Sequence, residues 1–526
     1  MNYITRLFFI AMALFLTGCS SKEKWTAPEE QTIKIMYKGD KPEGMDRVLE
    51  EFYKRTERSL NIRLVFDYVS DTEYKEKSSL EVTSESDYDL VFDANWFHLS
   101  QLAADGRYAD LSGFFDNDEY PGLKKAFPQS IMENNKYYGK MCYIPLYRTM
   151  GNGIGVIYYR QDWAQEWGLG TIENMEQMVR YWEMAKEKGL LPLSVTGKRG
   201  YFQVGTIGWD YPEAAKAGIQ RFQIANINYW VYIKDNKVKA VAAEGSGDKA
   251  FKEFPPPFNR DFGVSRYETF AEWTKKGYIG KSSAITTDAK LDFYSGDAAS
   301  IIGNLDEYIA TIKFMDSYKT NALLGTFIYD DAIRNKEKHC WPTTYRANNG
   351  LCVPSSSKNV LATMRFLNWL FLNDENHDLF AYGIEGEDYN KIGEDQYVSM
   401  SDYLLSGPSL TWNPNYDRIE SRYPENLFSY RKYEMEEDTY FPQPVCGYNF
   451  DFSKTDISTT IITVEAIMDE AYIALQHGLP TAQNVTYDSV TQMYKAYIDL
   501  AYRHGAKEIE DALVQQINEY LTTSKD

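Results

Sequence analysis

The chain has 526 residues, 76 acidic against 56 basic, for a net charge of −20. That balance opposes nucleic acid or an anionic membrane surface as partners and leaves neutral solutes as the expected ligand class. Aromatic residues reach 15%, with 42 Tyr and 11 Trp, while mean hydropathy is only −0.49, a pairing suited to a cleft that is both apolar and wet.

Arg6 precedes the apolar run Leu7 to Leu16, which is shorter than the roughly 17–25 residues of a membrane-spanning helix and fits a signal-peptide core. Leu16-Thr17-Gly18-Cys19 then has the pattern of a bacterial lipoprotein leader. Residues 1–18 are expected to be removed and the Cys19 thiol to carry a lipid, placing the protein on the cell membrane, facing outward. Ser20 to Lys24 opens a solvated tether over 19–31. The alternative is a cleaved secretory signal with an incidental cysteine. No second apolar run approaches membrane length, and the remaining ~500 residues are too many for one compact core, so two or more lobes are expected.

Thr32 to Tyr37 alternates in period two, as a half-buried strand should. Pro42 can open a helix, on which Met45, Val48, Leu49 and Phe52 form one apolar stripe. Ile62, Leu64, Phe66 and Tyr68 alternate again, so the crossover implies parallel pairing. Tyr88 to Phe92 reads as a third strand broken at Asp93-Ala94-Asn95-Trp96, and Leu99, Leu102 and Ala103 begin another helix. Gly139 to Pro145 is expected to be a strand ending at its proline, with Val156 to Tyr159 the next. Phe254-Pro255-Pro256-Pro257-Phe258 reads as a stiff surface loop. Phe293 to Ala299 leads into Ile301-Ile302 and a break at Gly303-Asn304. The C-terminal third is mainly helical. Val360, Leu361, Met364, Leu367, Leu370 and Phe371 make one stripe, with Ser356 or Ser357 as cap. Ile457, Ile461, Val464, Met468, Ala471 and Leu475 make a second, ended by Gly478 and Pro480, and Ile509, Leu513, Ile517, Tyr520 and Leu521 a third.

Cys142, Cys340, Cys352 and Cys446 contain no Cys-x-x-Cys; Cys340 and Cys352 could close a short loop, but free buried thiols fit equally well. The five histidines lack metal-ligand spacing. Gly151 to Gly155 precedes a strand, the wrong order for nucleotide binding. Gly-x-Ser-x-Gly and His-Glu-x-x-His are absent. No cofactor and no metal are expected.

The lipobox, the Tyr88 to Trp96 strand and break, Gly139 to Pro145, Tyr159-Arg160-Gln161-Asp162 before a helix, and Phe293 to Ala299 occur in this order. Together they resemble the family 1 extracellular solute-binding proteins of carbohydrate ABC importers. Tyr382 to Tyr389 and the segment from Pro444 through Ile517 resemble the oligosaccharide-binding lipoprotein branch of Gram-positive bacteria with its helical extension; Thr411-Trp412-Asn413-Pro414-Asn415 departs from that branch. The resemblance implies an α/β, two-lobe, periplasmic-binding-protein-like fold of type II. Lobe I is expected over 32–145 and 302–352, and lobe II over 146–301 and 353–526. Its function would be to close on an oligosaccharide and deliver it to permease subunits, as a monomer without enzymatic activity and without nucleic acid.

Candidate ligand contacts follow. Asp93 and Trp96 leave a strand end, where parallel sheets place their clefts; the alternatives are helix capping for Asp93 and core packing for Trp96. Tyr147 and Arg148 follow the first expected lobe crossing and Asn304 and Asp306 the second, with a salt bridge and a helix cap as alternatives. Trp209, Tyr229 and Trp230 represent the second lobe. Trp341, Tyr345 and Asn348 precede a third crossing at Leu351 to Pro354. Two rivals remain: a secreted glycoside hydrolase lipoprotein, which needs two carboxyl groups about 5–9.5 Å apart, and a non-transport sugar sensor or adhesin on the same fold.

Overall fold

The computed structural model describes residues 30–151, 153–196, 207, 211–285, 289–318, 322–403, 405, 407–452, 457–482 and 484–523. Cys19 and Trp209 lie outside them.

The chain opens as expected with β1 (Gln31–Lys38), α1 (Met45–Thr56), β2 (Ile62–Val69), α2 (Asp71–Thr83) and β3 (Leu90–Ala94). Met45, Val48 and Phe52 are buried on α1, and β1 pairs in parallel with both β2 and β3. The third strand runs past Phe92 to Ala94, so Asp93 belongs to the strand and not to its break. The expected Gly139 to Pro145 strand shortens to β4 (Ile144–Leu146). Pro145 sits inside it because β4 is an edge strand, where a missing N–H costs no ladder bond.

Beyond β4, β5 (Gly155–Arg160) enters a second body, followed by the meander β6 (Ile219–Ile224), β7 (Ile227–Lys234) and β8 (Lys237–Ala243), then α3 (Phe262–Lys276). β9 (Ser300–Asn304) and β10 (Leu324–Ile328) flank β5, both antiparallel. β11 (Trp341–Thr343) follows, and β12 (Asn349–Cys352) returns to the first sheet, whose order is β2-β1-β3-β12-β4. α4 (Val360–Leu370) and α5 (Asp374–Ala381) pack beside that sheet. A small sheet of β13 (Tyr389–Ile392), β14 (Gln396–Ser399) and β15 (Ile419–Glu420) comes next, then β16 (Tyr440–Pro442), which pairs with β11. The C-terminal helices α6 (Ser458–Gln476), α7 (Val490–Arg503) and α8 (Ala506–Thr523) complete the second body.

Packing divides the chain differently from the expected boundaries. One core joins β1–β4 and β12 with Met364, Leu367, Phe380 and Leu410, so much of 353–410 belongs to lobe I. A separate cluster joins Ile154, Val156 and Tyr158 to Ile301, Ile328 and Cys340, so 302–340 belongs to lobe II. The chain therefore crosses at 147–154, 343–348 and 411–418, and not at 301–304 or 351–354. Gly303 is no break, since it lies inside β9 where an added Cβ would sit 2.7 Å from the Tyr158 ring.

Smaller expectations also shift. Leu361 points outward at 61% exposure, Asn359 and not a serine stands at the N-cap of α4, and the Pro255 to Pro257 loop is anchored by buried Phe254 and Phe258. The four described cysteines are free thiols. Gly478 does end α6, at φ +63°, and an added Cβ there would sit 2.3 Å from the backbone of Phe270 and Ala271 on α3. Gly478→Ala is therefore expected to destabilise the protein by about 2–3 kcal/mol through forced backbone displacement; a melting temperature equal to wild type would contradict this packing.

Candidate functional site

The site begins at one edge of the lobe I sheet. Asn349 stands opposite both Ala94 on β3 and Leu146 on β4, so the segments beyond these positions share that edge. They are Asn95-Trp96, Asn348 and Tyr147-Arg148. Carboxyl ends of parallel strands are where such sheets bind ligands. The three crossings also converge here.

Trp96 is the open aromatic surface of this edge, at 49% exposure. Its Nε1 donates to Asn349 Oδ1 at 3.2 Å, and its ring meets Phe97 with centroids 4.1 Å apart at 61°. Beside it Asn95 Nδ2 donates to Asn348 Oδ1 at 2.7 Å. The result is an oriented indole bordered by amides, which suits a sugar because C–H faces cover rings and hydroxyls bond amides. Asn95 and Asn349 were missed from sequence; their signal was adjacency to Trp96 and Asn348.

Asp93 is a correction. It is 2% exposed, its Oδ2 accepts from Tyr108 at 2.6 Å, and its Oδ1 accepts from the backbone N–H of Ala94 and His98. Burial pushes its carboxyl up to about 6. It holds the turn that presents Trp96, with both carboxylate oxygens engaged inside the protein.

Tyr147 and Arg148 line a cavity of about 410 Å³ that also draws on Lys125, Phe127, Asn415 and Met435. The Arg148 guanidinium lies 5.6 Å over Trp412, and its Nε is 3.4 Å from Asp417 Oδ2. Burial works to lower its pKa, yet Asp417 and, more weakly, Asp306 hold it above its ordinary value. Behind it runs a buried ionic chain. His377 Nδ1 lies 3.0 Å from Asp378 Oδ1 and its Nε2 3.6 Å from Asp417 Oδ1; Arg418 Nε lies 3.0 Å from Asp378 Oδ2. Burial opposes the His377 charge, but Asp378 and Asp417 raise it to about 9. Burial alone would raise Asp417, and Arg148 and His377 bring it below the usual carboxylate range. This chain ties the third crossing to the first. Trp412, Asn415 and Asp417 were missed from sequence, although the first two lie in the run Thr411 to Asn415 that departs from the resembled branch.

Opposite stands the lobe II edge, where Asn304 pairs with Gly155. Asn304 and Glu307 form a reciprocal capping box, which is the helix-cap alternative. Asp306 is the member of that turn electrostatically felt at Arg148. Trp341 packs on Tyr440, centroids 5.5 Å apart, and against Gly151, where an added Cβ would sit 2.7 Å from its ring. Thr343 Oγ1 donates to Met150 O at 2.8 Å, tying the first two crossings. Tyr345 lies on the second crossing at φ +55°, and its carbonyl accepts from Asn135 Nδ2 at 2.8 Å.

Tyr229 and Trp230 are a second correction. Both are 0% exposed. The Tyr229 hydroxyl donates to Ala506 O at 3.2 Å and Trp230 Nε1 to Glu244 Oε2 at 3.2 Å, so both rings are packed inside the lobe II core and present no surface to a cleft. The C-terminal extension does reach lobe I, through Asn449 Nδ2 to Lys136 O at 3.4 Å. Among the described residues no helix is long and apolar enough to cross a membrane.

Residues 38–376 match the family model described as bacterial extracellular solute-binding protein. A carbohydrate ABC transporter substrate-binding protein of Streptococcus pneumoniae serotype 4 is 22% identical over 491 residues, covering 87% of each chain. The crystal structure of the N-glycan transport solute-binding protein NgtS from Streptococcus pneumoniae is similar at a TM-score of 0.67 and 18% identity, over 94% of this chain and 100% of that one. Its complex with Man1GlcNAc is similar at 0.65 and 19% identity, over the same shares. These likenesses show the type II periplasmic-binding-protein-like fold.

Proposed function

The chain belongs to the bacterial extracellular solute-binding protein family, and on that premise we propose that it captures an oligosaccharide between its lobes and delivers it to an ABC importer. The observation that carries this reading is the amide-bordered, half-exposed Trp96 at the edge where the crossings converge. Relatives described as carbohydrate-binding, one solved with Man1GlcNAc, make mannosyl-N-acetylglucosamine fragments the first ligands to try. Closure follows from differential contact, since only the closed form engages Trp96 from lobe I and the Asp306 turn from lobe II together. The ligand is released unchanged, the chain acts as a monomer, and a lipid on Cys19 tethers it outside the cell membrane beside the permease.

A thermal-shift screen of the mature chain against glycans should find a class that raises the melting temperature by mass action, and glycan analysis after incubation should return it intact. Turnover would support a glycosidase instead. Cys19→Ala should move the expressed protein from the detergent phase to the aqueous phase on partitioning; equal partitioning of both forms would remove the tether.

A further inference from the structure

The cavity beside Tyr147 differs in charge from the rest of this acidic chain. Its lining contains two cations, Lys125 and Arg148, and no carboxylate. Lys125 is exposed and makes no ion pair among the described residues. Arg148 uses only its Nε, at 3.4 Å from Asp417, and its two terminal nitrogens make no hydrogen bond among the described residues. Asp417 is itself shared, its Oδ1 lying 3.6 Å from His377 Nε2 and its Oδ2 also accepting from the Asn413 N–H, so it answers only part of the Arg148 charge. From lobe II, Asp306 adds a field without lining the cavity, and Glu434 is already paired with Arg431. Phe127, Tyr147, Pro414 and Met435 supply apolar walls, and about 410 Å³ lies within the roughly 300–1,000 Å³ typical of small-molecule sites.

Resting on the oligosaccharide reading, we propose that this cavity is a subsite for a carboxylate-bearing sugar unit, such as a uronic or sialic acid, whose carboxylate meets the Arg148 fork with Lys125 beside it. A guanidinium presents two parallel N–H groups that match a carboxylate in geometry as well as charge. A neutral sugar would leave those donors to water. The subsite therefore corrects the composition-based expectation of a neutral ligand at one position of the glycan, while Trp96 accepts a neutral unit elsewhere on the same edge.

Calorimetric titration of the mature chain with matched pairs tests this. The probes are sialyllactose against lactose, and digalacturonate against its carboxyl-reduced form, each at low and high salt. The acidic member of at least one pair should bind about tenfold tighter at low salt, with an advantage that shrinks as salt rises. Lys125→Gln should narrow that ratio several-fold, and Arg148→Lys, which keeps the charge and loses the fork, should narrow it too. Equal affinity within both pairs, or a ratio unchanged in both variants, would overturn the subsite. Binding of neutral glycans alone would overturn it and leave the proposed function standing; failure of every glycan, acidic or neutral, would sink both.

Discussion

Trp96→Ala is expected to weaken glycan binding by tenfold to a hundredfold while leaving the melting temperature nearly unchanged. The indole packs one side on Phe97 and Phe92 and keeps 49% of its surface open, so its removal opens no deep cavity. What it does remove is the face on which a sugar ring would lie. Loss of one oriented aromatic contact of about 1.4–3 kcal/mol corresponds to that range of affinity. Trp96→Phe should recover part of the loss, because a ring remains but the bond to Asn349 does not. Calorimetry with the best glycan of the screen gives the answer; a wild-type dissociation constant in Trp96→Ala would remove this edge as the binding surface.

The largest stability effect is expected at the ionic chain behind Arg148. Asp378 is fully buried and faces His377, Arg418 and Lys391. Asp378→Ala would strand those cations, and breaking a buried pair in this way costs about 3–5 kcal/mol. The same chain gives a pH dependence whose sign is fixed. His377 is raised from 6.5 to about 9 in the folded protein, so its contribution is complete below about pH 6.5 and is lost as pH rises through about 9. The amount is about 3 kcal/mol. Melting curves across that window should therefore fall in the wild type and flatten in His377→Gln. A flat wild-type profile, or parallel profiles for the two, would show that His377 is neutral when folded.

Short-range periodicity made much of the fold legible. The stripe Met45, Val48, Phe52 and the alternation of β1 and β2 needed only local pattern, as did α6 and α8. The lobe crossings depended on pairing across long sequence distances. Pro145 and Gly303 read as breaks, yet one occupies an edge strand and the other makes room for the Tyr158 ring. The site was legible in the same uneven way. Trp96 and Arg148 stand at the edge because they follow strand ends, which sequence shows. Asp93 reads as obeying the same rule but lies inside β3 and is bound by Tyr108, fifteen residues on, and no local signal announces that partner. Tyr229 and Trp230 were lost for a different reason: in a chain with 42 Tyr and 11 Trp, the same ring types build the core and a cleft, and only burial separates them.

Lobe closure on an oligosaccharide is tested most directly by small-angle scattering of the mature chain with and without a saturating glycan. Saturation must be shown independently by titration under the same conditions. Closure about the crossings at 147–154, 343–348 and 411–418 predicts a smaller radius of gyration with ligand, and a reduced change for Trp96→Ala at a dose that only partly fills it. An unchanged profile at proven saturation would contradict capture by closure and leave a rigid glycan-binding surface in its place.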